Sequence, residues 1–175
     1  SRGSNTMVSP LSVLTALEMT RGGAGKDTLR QMGKTMYPGI DPEEGRKELL
    51  SWCRQLPDGK GGQMSMANSI WFNNRNEDFV PNEEFLEKNA KEWKAQIYGA
   101  PFDQTTLKDL NGWVEKNTYG MITNILDEIP EAAIMYLVNA VAFDGKWEKP
   151  YESYQVHDTD FYPEDGSVFG RIPIS

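Results

Sequence analysis

Apolar positions change their spacing several times along the chain, and each change predicts an element. Ser9 followed by Pro10 puts a capping serine and a first-turn proline at a helix start. Leu11, Leu14 and Leu17, with Val13 beside them, form a broad stripe that predicts a mostly buried helix, closed by Gly22-Gly23. A second helix restarts at Asp27-Thr28, with Thr28 and Gln31 at capping-box spacing, Leu29, Met32 and Met36 on one face, and Pro38-Gly39 as its stop. Asp41-Pro42-Glu43-Glu44 opens a third, running to about Gln55.

The period then drops to two. Over 63–72, Met64, Met66, Asn68, Ile70 and Phe72 fall on one side, and Ser65, Ala67, Ser69 and Trp71 on the other. Small and apolar residues on both sides predict a strand covered on both faces. A turn at 73–76 leads to a helix over 81–93, with Phe85, Leu86 and Ala90 as its apolar stripe. A strand over 95–102 follows, then a helix over 105–118 that places Leu107, Leu110, Trp113 and Val114 on one face and stops at Gly120. Residues 133–143 are the most apolar stretch and predict a central strand. A brief strand over 5–8, a turn at 163–166 and a closing strand over 167–174 complete the pattern. Helices first, then helices interleaved with strands, predict an α+β fold, with helices packed on a large mixed sheet and 1–175 read as one domain.

Composition narrows the function classes. The 175 residues are 38% hydrophobic and 25% charged, which suits a packed core rather than a disordered chain. The net charge of −8 disfavours binding to a phosphate backbone, so no nucleic-acid partner is expected. No apolar run reaches the roughly 18 residues that span a bilayer, and no membrane partner is expected either. Cys53 is the one cysteine and His157 the one histidine, and neither sits in a nucleophile turn. A half-buried helical thiol is the expected state of Cys53. Asp103, Glu128 and Glu131 lie on or near loops, but nothing sets two carboxylates at catalytic separation. No zinc-ligand set and no phosphate-binding glycine loop is present, so neither metal nor cofactor is expected, and the chain is read as a non-enzyme.

Five ordered stretches resemble one family. Asn5-Thr6-Met7-Val8-Ser9-Pro10-Leu11-Ser12 resembles the serpin segment that enters the helix behind the main sheet, and Gly23-Ala24-Gly25-Lys26-Asp27-Thr28 the turn after it. Met66-Ala67-Asn68-Ser69-Ile70-Trp71 is similar to the second strand of that sheet. The stretch from Asn111 to Ile122, reading Asn-Gly-Trp-Val-Glu-Lys-Asn-Thr-Tyr-Gly-Met-Ile, is similar to the helix that crosses it. The most specific stretch is Leu137-Val138-Asn139-Ala140-Val141-Ala142-Phe143 with Asp144-Gly145-Lys146-Trp147-Glu148-Lys149-Pro150-Tyr151.

The resemblance implies a three-sheet fold with a long reactive loop. A target protease cleaves that loop, which then inserts into the main sheet as a new strand and carries the trapped protease with it. It places Ser9, Ser12 and Asn139 in the family's shutter, the layer that must slide when the sheet opens. Short polar side chains can exchange hydrogen bonds there between two arrangements. Ser9 is also a plain helix cap. Asn139 lies within an apolar strand and needs a partner; in the family that network includes a histidine from the carboxy-terminal half, and no matching residue is found in this chain. Trp147 falls at the breach, where the loop first enters, and is also expected to serve as a core aromatic. Some serpins bind heparin on the helix here starting at Pro42, but Arg46, Lys47 and Arg54 are interspersed with Asp41, Glu43, Glu44 and Glu48, so heparin is not expected.

Against the family pattern, the first helix of the fold is expected to be missing before Ser4, and the hinge, reactive loop and scissile residue after Ile174. A second chain completing the fold is an expected partner, and a secreted, extracellular setting follows from the resemblance alone. The functional reading is a suicide-substrate inhibitor of serine or cysteine proteases, in part. The alternative is a non-inhibitory serpin acting as a binding or carrier protein, and the absent hinge residues would decide between them.

Overall fold

The computed structural model describes residues 8–56, 58–59, 62–162, 167 and 170–174. Five helices are formed: α1 (Pro10–Arg21), α2 (Lys26–Met36), α3 (Pro42–Arg54), α4 (Glu83–Trp93) and α5 (Gln104–Asn117). The strands are β1 (Asp58–Gly59), β2 (Gly62–Asn73), β3 (Gln96–Ala100), β4 (Met135–Gly145), β5 (His157–Phe161) and β6 (Gly170–Ile174).

Local chemistry sets most helix starts. Ser9 caps α1, its hydroxyl accepting from the Ser12 amide at 3.3 Å. Asp41 caps α3 through the Glu43 and Glu44 amides at 3.0 and 3.1 Å, and Asn82 caps α4 through the Phe85 amide at 2.8 Å. Asp103 does the same for α5. The capping box expected at Thr28 and Gln31 does not form, because α2 starts earlier, at Lys26, behind Gly25 and without a side-chain cap. Past α5, Gly120 takes a left-handed conformation (φ 76°), which lets its amide reach back to the Glu115 carbonyl at 2.8 Å.

The larger sheet is mixed. β2 is its middle strand: β4 runs antiparallel along one side, from Gly62↔Gly145 to Phe72↔Met135. On the other side β3 pairs parallel with residues 69–73 and β1 antiparallel with 62–63. Thus β4, expected in the centre, is at an edge of this sheet among the described residues. β5 and β6 form a separate antiparallel pair, and the strand at His157 had no periodic signal in the sequence. The expected turn at 163–166 and the strand residues 5–7 lie outside the described residues.

Around residues 68–72 and 136–140 both faces of the sheet are covered, as the alternation in 63–72 predicts. On one face Ile70 packs with Met19, Leu49, Leu50 and Trp93 of α1, α3 and α4. On the other, Trp71, Val138 and Ala140 pack with Leu110, Trp113 and Val114 of α5. The segment returning from α5 to β4 is tied down by Asn111, which donates to the Leu126 carbonyl at 2.8 Å and accepts from the Ile125 and Leu126 amides at 2.9 and 3.2 Å.

Two helix faces differ from expectation. On α1 the buried residues are Thr15, Glu18, Met19 and Arg21, while Val13 and Leu17 are exposed. On α4 Asn89 is buried and Ala90 exposed. In both cases a polar side chain finds partners inside and so takes the place expected for an apolar one. Trp147, expected as a core aromatic, lies two residues past the end of β4 and is 76% exposed.

Candidate functional site

Antiparallel register places Asn68 of β2 directly opposite Asn139 of β4. Residues paired this way point to the same face, here the one covered by α1. The Asn139 side-chain amide donates to the Asn68 carbonyl oxygen Oδ1 at 2.8 Å. Its own Oδ1 accepts from the Ser12 hydroxyl of α1. Asn68 passes the chain on, donating from Nδ2 to the backbone carbonyl of Trp93 at 2.8 Å. That carbonyl belongs to the last residue of α4, where helices leave carbonyls without an intrahelical partner. Four elements, α1, β4, β2 and α4, are therefore joined by three hydrogen bonds in series. Asn68 is only 6% exposed, so water offers no ready substitute for its partners.

Of the residues singled out from the sequence, Ser12 and Asn139 are brought into direct contact. Ser9 is exposed, and among the described residues its hydroxyl bonds only the Ser12 amide, as a cap. Trp147 lies beyond the end of β4, exposed, and among the described residues it is not one of the hydrogen-bonded partners of the hub. Sequence reasoning missed Asn68 and the Trp93 carbonyl as hub members. Asn68 carried a usable signal, an amide among Met66, Ile70 and Phe72 on one strand face, whereas a backbone acceptor carries none.

A second polar cluster lies behind the same face. Arg21, largely buried on α1, donates to Glu18 at 3.3 Å and to Glu43 of α3 at 2.7 Å. Glu43 also accepts from Arg46 Nε at 3.0 Å, and Arg46 Nη1 reaches Glu92 of α4 at 2.9 Å. Burial pushes the Glu18 carboxyl upward, with the Arg21 charge acting against it. The Arg21 hydrogen bond holds Glu43 below the usual carboxylate range. Arg46, one of three basic residues on α3 with Lys47 and Arg54, is thus committed to two carboxylates.

Cys53 is half-buried on α3, 3.9 Å from the Thr15 hydroxyl, and burial raises its thiol pKa, which lowers its thiolate fraction. Asp103 is occupied as a helix cap and faces Arg75 at 3.4 Å. Among the described residues no group of three or more His, Cys, Asp or Glu side chains is placed to hold a metal ion. No helix among them is long and apolar enough to cross a membrane.

Comparison with known proteins agrees with this architecture. The family model "Serpin (serine protease inhibitor)" matches residues 1–173. Alpha-1-antiproteinase of Rattus norvegicus is 30% identical over 182 aligned residues, covering 99% of this chain and 43% of that protein. The thermophilic serpin tengpin, solved in the latent state, superposes with a TM-score of 0.88 at 39% identity, covering 99% of this chain and 46% of that one. A thyroxine-binding globulin bound to thyroxine shares the fold, with a TM-score of 0.83 at 19% identity over 99% of this chain and 48% of its own. The chain thus spans somewhat under half the length of these relatives. With the family model matched over residues 1–173, the chain belongs to the serpin family.

Proposed function

We propose that this chain is part of a serpin-type inhibitor that traps a target serine or cysteine protease by inserting a cleaved loop into the sheet of β2 and β4. The observation that carries the reading is the hydrogen-bonded series Ser12–Asn139–Asn68–Trp93 beneath that sheet. A layer that must slide needs polar contacts that can be exchanged without leaving a buried group unpaired. Hydroxyl and amide groups, each both donor and acceptor, suit that need. The position of β4 supports the same reading: among the described residues it pairs on one side only, so a further strand has backbone groups to pair with.

In this reading Ser12 and Asn139 form the shutter, and Ser9 contributes to it only by fixing the start of α1. Trp147 is assigned to the breach by its place just past β4. The stretch 1–175 acts as one domain within a larger fold, completed by further polypeptide, in the same chain or a second one. The molecule works as an inhibitor outside the cell rather than as an enzyme, and α3 gives it no heparin dependence.

The test is to incubate the complete protein containing this chain with serine and cysteine proteases. A covalent complex that survives denaturant, with a rise in thermal stability of the cleaved form, is the expected result. Cleavage without either would overturn inhibition and favour the second reading, a binding or carrier serpin. That alternative draws on the fold shared with thyroxine-binding globulin.

A further inference from the structure

The hub and the charge cluster leave α1 in different directions and meet again on α4. From Ser12 one series runs through Asn139 and Asn68 to the Trp93 carbonyl. From Arg21, two and a half turns further along α1, the other runs through Glu43 and Arg46 to the Glu92 carboxylate. Glu92 and Trp93 are adjacent, in the last turn of α4. Among the described residues the Trp93 carbonyl has one side-chain donor, Asn68, and its position depends on where that last turn is held. Beside the apolar packing of Trp93 on Leu49 and Leu50, Glu92 ties this turn to α3 by an ion pair, and the Arg46 side chain that makes it is only 15% exposed. An ion pair this sheltered is screened far less than a surface one.

We propose that Arg46 and Glu92 are positioning residues for the hub: by clamping the end of α4 to α3 they hold the Trp93 carbonyl where Asn68 needs it, and so set how readily β2 and β4 move over α1. The inference rests on the reading of the hub as the layer that slides. Loss of the clamp lets the α4 terminus drift, Asn68 loses its acceptor, and the strain is passed to Asn139 across the strand pair. A cross-link that merely stabilised α3 against α4 would have no such effect on the sheet.

The test is hydrogen–deuterium exchange on the full chain, comparing Glu92→Gln, Asn68→Ala and the double variant. Glu92→Gln keeps the size of the side chain and removes its charge. It is expected to speed exchange about tenfold over residues 66–70 and 137–141 while leaving residues 107–114 of α5 unchanged. In the Asn68→Ala background the same substitution is expected to add nothing further in the sheet. Additive effects of the two changes, or equal acceleration in α5, would overturn the inference. If Asn68→Ala itself leaves the sheet unchanged, the reading of the hub falls. If Asn68→Ala accelerates exchange and Glu92→Gln does not, only the clamp falls.

Discussion

Asn139 makes two hydrogen bonds with one amide, and each partner depends on it. Truncation would strand the Ser12 hydroxyl and the Asn68 carbonyl oxygen together. Asn139→Ala is expected to destabilise the fold by about 2–3 kcal/mol, read from urea unfolding; a loss below about 0.5 kcal/mol would mean that water or another group substitutes. Glu18 carries the opposite kind of cost. It is 2% exposed, and burial raises its pKa above the ordinary 4.5. The native state therefore holds the proton more tightly than the unfolded state. Its stabilising contribution is full below the ordinary glutamate value and lost as pH rises through the native one. Glu18→Gln removes this dependence. The stability advantage of the natural protein over the variant should grow as pH falls from 7 toward 4.5, and a shrinking advantage would contradict the assignment.

At the scale of elements, the helix caps were legible because they are local. Ser9 and Asp41 each act within three residues, and the sequence alone names both donor and acceptor. The faces of α1 and α4 were less legible. Glu18, Arg21 and Asn89 read as surface residues until the partners of Arg21 and Asn89 on other helices, and the pairing of Glu18 with that buried Arg21, are known. The site divides the same way. Asn139 declares itself as a lone amide in an apolar strand, but its pairing with Asn68 is a matter of strand register, which periodicity does not set. Ser9 and Ser12 are the sharpest test at this scale, three residues apart on one helix. Ser9→Ala should cost about 1 kcal/mol and loosen only the first turn of α1. Ser12→Ala should also raise amide exchange in β4, across the hub. Equal responses from the two variants would show that Ser12 acts only on the helix.

For the whole molecule, the apolar surface left uncovered is the telling feature. Trp52, Val80, Phe143 and Trp147 are each more than 60% exposed, and β4 presents a strand edge among the described residues. Such an edge beside exposed aromatic residues is a template for pairing with another chain. The 175-residue chain on its own is expected to self-associate in a concentration-dependent way, seen by light scattering after size exclusion; a strict monomer at about 100 μM would show that these surfaces are covered by other means.

The bond between Ser12 and Asn139 spans 127 positions of sequence. A contact of that range cannot guide the early search for structure, since the loop it closes is among the costliest the chain can form. Helices such as α5 should become protected within the first moments of refolding, and the Ser12–Asn139 contact should be among the last to form, an order that pulse-labelled exchange can read directly. A newly made chain would then pass through a period with its sheet assembled and its latch still open, and substitutions at the hub should act by hastening the finished protein's return to that unlatched form rather than by slowing its approach.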